Sequence, residues 1–276
     1  MLDSQETPRG LLRDLAPVFA IMILIPLAPL LTVLPSALGR STTEPYVAPT
    51  IANGAKGPSS DCADRNYVQD CRPIAFEWRS GWRDWEARWD LPDAWVYDAI
   101  RQTNDLAGSA ARSPERADDL LYWSRIYREA ARLNRDRVEI FARGFQFLAR
   151  RHGLSRRATL ELVTAFVQNL EYAVPDNYLQ LYLPARLLQL GRGDCDSRAL
   201  FLVLVLDRMG YDAVLLLSPR YRHAMAGVVC ESCQGAVYRG GAGGPYRFIE
   251  TTARTPPGFL HPAVSNHAHW HVLSLD

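Results

Sequence analysis

Cys195, His223 and Glu250 are the residues of this chain whose types and order could carry out nucleophilic catalysis. A thiolate nucleophile needs an imidazole partner, and that imidazole needs an acceptor to orient it. Cys195 follows a glycine-rich turn, Gly191 to Gly193, while His223 opens an apolar run and Glu250 lies near the end of another. If those two runs are neighbouring strands, their ends can meet opposite the cysteine. Cys195 would attack a carbonyl carbon, and His223 would hold the thiolate as an ion pair and then protonate the leaving amine. Glu250 would accept a hydrogen bond from the far imidazole nitrogen, and the backbone N–H of Cys195 would serve the oxyanion. Each residue alone has a plainer reading: a small apolar residue at a helix start, a half-exposed strand histidine, a solvated strand acid. In this order, each at the edge of its own element, they carry more weight together.

The elements that must position them can be read from the patterning. From Leu200 to Leu206 the chain is apolar on every face and Met209-Gly210 closes the run, which predicts a buried central helix. Cys195 then stands at its N-terminal end, where the helix dipole and unpaired N–H groups favour thiolate over thiol. Beyond Gly210 the texture is strand-like over 212–217, 223–229, 246–251 and 270–275, with a flexible connection at 240–244. Upstream, 93–151 reads as helical, with Ser113-Pro114-Glu115 as a start signal and Leu120, Trp123, Tyr127, Ala130, Phe141, Phe145 and Leu148 facing inward. His152-Gly153 ends that stretch, and Ser155 can cap a further helix with Leu160, Val163, Val167 and Leu170 inside, broken by Pro175-Asp176. Trp78, Trp82, Trp85 and Trp89 recur at helical spacing, which predicts the inner face of a helix; a ligand-stacking platform is the sharper alternative. Helices first and strands afterwards predict an α+β domain with the central helix lying on an antiparallel sheet.

The chain has 276 residues, and 31 Lys+Arg against 30 Asp+Glu leave a net charge of +1, so nucleic acid is not an expected partner. Arg9 and Arg13 precede an uncharged apolar run, residues 15–34, long enough to cross a bilayer as a helix. Pro17, Pro26 and Pro29 within it are better tolerated in membrane than in soluble helices. The arginines favour an N-in orientation with the remainder outside the cytoplasm. A signal peptide cleaved near Ala37-Leu38-Gly39 is the rival reading, and either way the chain reads as exported. The expected organisation is a membrane anchor or signal over 1–40, a flexible tether over 41–60, an aromatic-rich helical region over 61–152 and the catalytic domain over 153–276.

The motifs resemble the transglutaminase-like cysteine protease superfamily in its bacterial, membrane-associated branch. The matching pieces are Gly193-Asp194-Cys195, Met209-Gly210-Tyr211-Asp212, His223-Ala224-Met225-Ala226-Gly227-Val228 and Tyr246-Arg247-Phe248-Ile249-Glu250-Thr251-Thr252. Ala165-Phe166-Val167-Gln168 and Tyr182-Leu183-Pro184 also look like that branch, and the likeness covers roughly residues 155 to 255. It implies a papain-related α+β fold with Cys195 as nucleophile, His223 as base and Glu250 as orienter, acting on an amide by proteolysis or acyl transfer without a cofactor. It offers Gln168 as an oxyanion donor, against a plain solvent-facing helix end. The sequence departs from the family pattern at Cys195-Asp196-Ser197, in having glutamate at 250, and in Ala253-Arg254-Thr255-Pro256 after the threonine pair. The implied substrate is a protein or peptide, and the membrane is a partner through the N-terminal helix. A catalytically silent interaction domain of the same fold is the alternative from another class.

The remaining cysteines fit export: Cys62 with Cys71 and Cys230 with Cys233 can form two local disulfides, leaving Cys195 as the odd, free thiol. Zinc ligation or a redox pair are the alternatives for Cys230 and Cys233. His267, His269 and His271 alternate, so a strand would point all three one way; a metal-dependent hydrolase is the rival enzyme class, and a frayed histidine-rich tail the plain reading.

Overall fold

The computed structural model describes residues 70–113, 119–240 and 244–275. The first elements are a hairpin, β1 (Cys71–Ser80) paired antiparallel with β2 (Arg83–Pro92). This corrects the helical reading of Trp78, Trp82, Trp85 and Trp89. The deciding period is two: Trp85, Ala87, Trp89 and Leu91 are buried and the residues between them are not. Trp78 lies directly opposite Trp85, and Trp82 falls in the two-residue loop beside Gly81, whose φ of +59° suits the tight turn.

The stretch read as one helical region is three helices: α1 (Asp93–Ala111), α2 (Leu120–Asn134) and α3 (Glu139–Arg151). Asp119 caps α2 by accepting from the Leu121 N–H, so the start is six residues later than Ser113, and Pro114 and Glu115 lie outside the described residues. Buried Asn134 ends α2, its amide donating to Gln102 and to the Ala130 carbonyl. Gly144 of α3 lies against the Trp89 indole, which Phe141, Phe145 and Phe166 surround at centroid separations of 5.4, 5.5 and 5.8 Å. A Cβ at 144 would meet Trp89 Nε1 at 2.5 Å. Gly144→Ala is therefore expected to destabilise by about 1–2 kcal/mol in urea unfolding, overpacking outweighing the better helix propensity of alanine. A stability equal to or above wild type would show that the indole moves aside.

Ser155 caps α4 (Arg156–Asn169) through the Ala158 N–H, with Leu160, Val163 and Val167 inside as expected. The helix ends before Pro175, because the chain turns at Leu170 into β3 (Glu171–Tyr172). After α5 (Pro184–Leu190), Gly191 takes a left-handed conformation and leads into β4 (Arg192–Gly193), which pairs in parallel with β3. Then comes α6 (Cys195–Arg208), buried on all sides from Ser197 to Leu206 as its all-round apolar sequence requires.

α6 lies on an antiparallel sheet of β5 (Ala213–Ser218), β6 (His223–Val229), β7 (Val237–Tyr238), β8 (Tyr246–Ile249) and β9 (His271–Leu273), in the spatial order β7-β8-β6-β5-β9. Leu215, Leu217, Ala224, Ala226 and Val228 join the main core. Val214, Leu216, Met225 and Phe248 form a second cluster with Trp270. Cover on both faces explains why β5 and β6 read as continuous apolar runs. The main core runs from Ile74 to Leu275, so the hairpin and helices share it with the sheet across residue 152. The anchor and tether readings, residues 15–34 and 41–60, fall outside the described residues. Among the described residues no helix is long and apolar enough to cross a membrane.

Candidate active site

Asp194 starts the site by capping α6. Its carboxylate accepts from the Ser197 N–H at 3.0 Å and from Ser197 Oγ at 2.7 Å, and Ser197 Oγ accepts in turn from the Tyr182 N–H at 2.8 Å. Cys195 is thereby fixed as the first residue of the helix, buried, and is the one free cysteine among the described residues. Its thiol donates to Asp196 Oδ2 at 3.8 Å, and the Ala224 N–H at the start of β6 favours the charged sulfur. The other oxygen of Asp196 accepts a short hydrogen bond from the Tyr127 hydroxyl of α2.

His223 and Glu250 meet at the same end of the sheet because β6 and β8 are antiparallel neighbours, with Ala226 opposite Ile249. His223 Nε2 is 3.0 Å from Glu250 Oε2. The second oxygen, Oε1, accepts from the Thr251 N–H, the Thr252 N–H and Thr252 Oγ1 at 2.9, 2.8 and 2.6 Å. Burial alone would raise this carboxyl, but the hydrogen bond and charge of His223 and the Thr252 groups hold it at about 2. The imidazole rests edge-on against Trp270, centroids 6.0 Å apart. Glu250 thus occupies the Nε2 side of the ring, and Nδ1 is the nitrogen it does not engage. In this arrangement no hydrogen bond joins His223 to Cys195; the thiol donates instead to Asp196.

The electrostatics at the helix mouth differ from the sequence expectation. The dipole argument favours thiolate, yet burial, then the charges of Asp196 and Asp194, push the Cys195 thiol well up, while the Ala224 N–H pulls the other way. Burial likewise raises Asp194, to about 7, with the Asp196 charge adding to it. The main physical reason is burial, which disfavours the charged sulfur; the adjacent carboxyls of Asp196 and Asp194 add to it, and together they outweigh the partial charge of the helix end.

Three sequence-predicted residues stand elsewhere in role. Gln168 is not placed as a free donor, because both its amide N–H bonds are committed, to the Glu250 carbonyl at 2.8 Å and the Thr255 carbonyl at 2.9 Å. It ties the end of β8 to α4, and an oxyanion would have to displace those carbonyls. Two of the three alternating histidines do not lie on a strand. Asn266 caps a short 3₁₀ turn, His267–His269, and only His271 enters β9. His267 lies against Phe248 and His269 against Tyr221, at 5.2 and 5.5 Å between centroids. The period of two expected for a common face is therefore lost, and among the described residues no three His, Cys, Asp or Glu side chains are grouped to hold a metal.

Cys230 and Cys233 are joined in a disulfide, Cα atoms 5.4 Å apart, which takes their thiolates away from zinc. Cys71 is also disulfide-bonded, and the pairing expected with Cys62 lies outside the described residues.

Sequence reasoning missed Arg198, one turn into α6. Its guanidinium is buried and donates to the carbonyls of Gly193, Thr251 and Leu170 at 2.9, 3.0 and 2.6 Å, so it joins the ends of β4, β8 and α4 around the site. It also lies over the Tyr172 ring, 5.6 Å from the centroid. The available signal was an arginine set directly before the all-apolar run, residues 199–206, of the same helix. Asp196 and Tyr127 were missed as partners because 69 residues separate them. Compared with known proteins, the chain matches no protein-family model, no curated protein and no solved structure.

Proposed function

We propose that the protein is a cysteine amidase of the transglutaminase-like, papain-related type, acting as a peptidase outside the cytoplasm while its N-terminal apolar run holds it at the membrane. The observation that carries this reading is the Glu250–His223 pair, fixed at the sheet end beside the free thiol that opens the buried helix. His223 Nδ1 takes the thiol proton, the sulfur attacks the amide carbon, and the C–N bond breaks as the same proton passes to the leaving amine. Water, deprotonated by His223, then releases the acyl group from sulfur. The Cys195 N–H, free of an intrahelical partner by its position, faces the oxyanion.

A second reading, a catalytically silent domain that presents a surface to a partner, is favoured by the raised thiol and by the lack of a resting bond from His223 to the sulfur. Alkylation by iodoacetamide near pH 7, with the modified residue located by mass spectrometry, separates the two. The enzyme reading expects Cys195 to react faster than free cysteine and His223→Ala to lose at least about 10²-fold of that rate. Equal rates in both proteins would favour the silent domain.

A further inference from the structure

Trp82 is the one fully exposed tryptophan among the described residues, with a relative exposure of 104%. Trp78, Trp85, Trp89 and Trp270 are buried, and Trp95 and Trp123 are partly covered. An indole left wholly in water at a loop tip has no packing role in the fold. The hairpin also holds it there firmly. Ser80 pairs with Arg83 across the loop, and Arg79 grips Asp84 through two bonds of 2.7 and 2.9 Å. Behind them Trp78 Nε1 and Ser80 Oγ donate to the Leu162 and Glu161 carbonyls of α4. The backbone on both sides of Trp82 is therefore tied to the hairpin and to α4.

Three acids near the tip, Asp84, Glu86 and Glu161, are each paired with an arginine, Arg79, Arg88 and Arg157. Arg83 lies over the Trp85 ring, and both Arg83 and Arg151 bear on His152, which meets Trp85 edge-on at 5.0 Å. Neither Arg83 nor Arg151 has a carboxylate partner among the described residues. An exposed indole, with Arg83 next to it in sequence and Arg151 behind the hairpin beside His152, matches the headgroup level of a bilayer, where tryptophan is enriched and arginine meets lipid phosphate. The chain also carries its own reason to be beside a bilayer, the uncharged apolar run of residues 15–34.

We infer that the tip of the β1–β2 hairpin is a membrane-contact site, with Trp82 seated at the boundary between headgroups and acyl chains of an anionic bilayer and Arg83 and Arg151 on its phosphates. The proposed anchor serves only to bring the bilayer near, and the inference does not depend on the thiol chemistry.

The test uses the full chain in vesicles of phosphatidylcholine and phosphatidylglycerol, with or without bromine on the acyl chains. No tryptophan precedes Trp78 in the sequence, so the apolar run contributes no signal. Brominated lipid is expected to quench the wild-type emission, and Trp82→Phe to lose that quenching. Arg83→Gln with Arg151→Gln, or vesicles of phosphatidylcholine alone, should weaken it. Unquenched wild type, or quenching that survives in Trp82→Phe, overturns the site; quenching equal in neutral vesicles overturns its anionic preference. Failure of the anchor reading shows separately, as protein that does not sediment with vesicles.

Discussion

Glu250→Gln is expected to remove most of the reactivity of Cys195 while leaving the fold standing. The amide keeps the shape of the carboxylate, and its oxygen can still accept from the Thr251 and Thr252 N–H groups that hold Oε1. Its nitrogen, however, would face His223 Nε2 as a donor where wild type has an acceptor. The imidazole proton would then move to Nδ1, the nitrogen left to act on the sulfur, and the base would be lost. Loss of a general base costs on the order of 10²- to 10⁴-fold, so Cys195 alkylation near pH 7 should fall by at least about 10²-fold. A variant alkylated at the wild-type rate would show that the pair does not act on the thiol.

The same substitution has a pH signature. The Glu250 carboxyl is held at about 2, below its ordinary value of 4.5, so its native contacts stabilise the fold fully above pH 4.5. That contribution fades as pH falls from 4.5 toward 2, because the unfolded chain takes up the proton first. At 1.36 kcal/mol per pKa unit it is on the order of 3 kcal/mol. Urea midpoints of wild type and Glu250→Gln should therefore differ at pH 6 and converge on acidification. A gap that persists at pH 2 would assign the loss to packing.

Much of this architecture was legible in the sequence because single-element patterns determine it. An apolar run of helical length closed by Met209-Gly210 reads as a buried helix, and α6 starts at Cys195 because Asp194 is a good cap and Gly191 a good stop for the helix before it. β6 begins at His223, where the apolar run begins. What failed depended on pairing between distant residues. Four tryptophans at 78, 82, 85 and 89 satisfy a helical period, and only the partnership of Trp78 with Trp85 across a loop makes them a hairpin. Gln168 looked like a free donor because the two carbonyls that occupy it come from residues 250 and 255. The C-terminal histidines alternate in sequence, but the Asn266 cap coils them before the strand can start. The thiol environment was misjudged for a similar reason: the dipole is a local property, while the burial and the Tyr127 bond that position Asp196 come from the assembled fold.

Arg198→Met should produce the largest loss of stability, although it leaves the cysteine, histidine and glutamate untouched. Methionine keeps the unbranched apolar stem inside α6 but offers no donors. The carbonyls of Gly193, Thr251 and Leu170 would be left facing a buried volume without their partner. Hydrogen bonds from a charged donor contribute about 1.5–3 kcal/mol each, and a stranded buried acceptor costs about 1–3 kcal/mol. Burial of the guanidinium, which lowers its pKa, offsets part of that gain, so a net loss of about 3–5 kcal/mol is expected rather than the full sum. Arg198→Lys keeps the charge but cannot span three carbonyls with one ammonium, and should recover less than half of the loss. The measurement is the urea unfolding midpoint with its slope. A change under about 1 kcal/mol in the methionine variant would mean that the three segments hold one another without the guanidinium. If the loss is found, alkylation of the folded fraction becomes informative: Gly193 leads into the helix mouth and Thr251 follows Glu250, so freeing them should slow Cys195 even where the helix itself survives. Charge retained without its fork separates these roles, because lysine can restore the field at the sulfur but not the positions of the two loop ends.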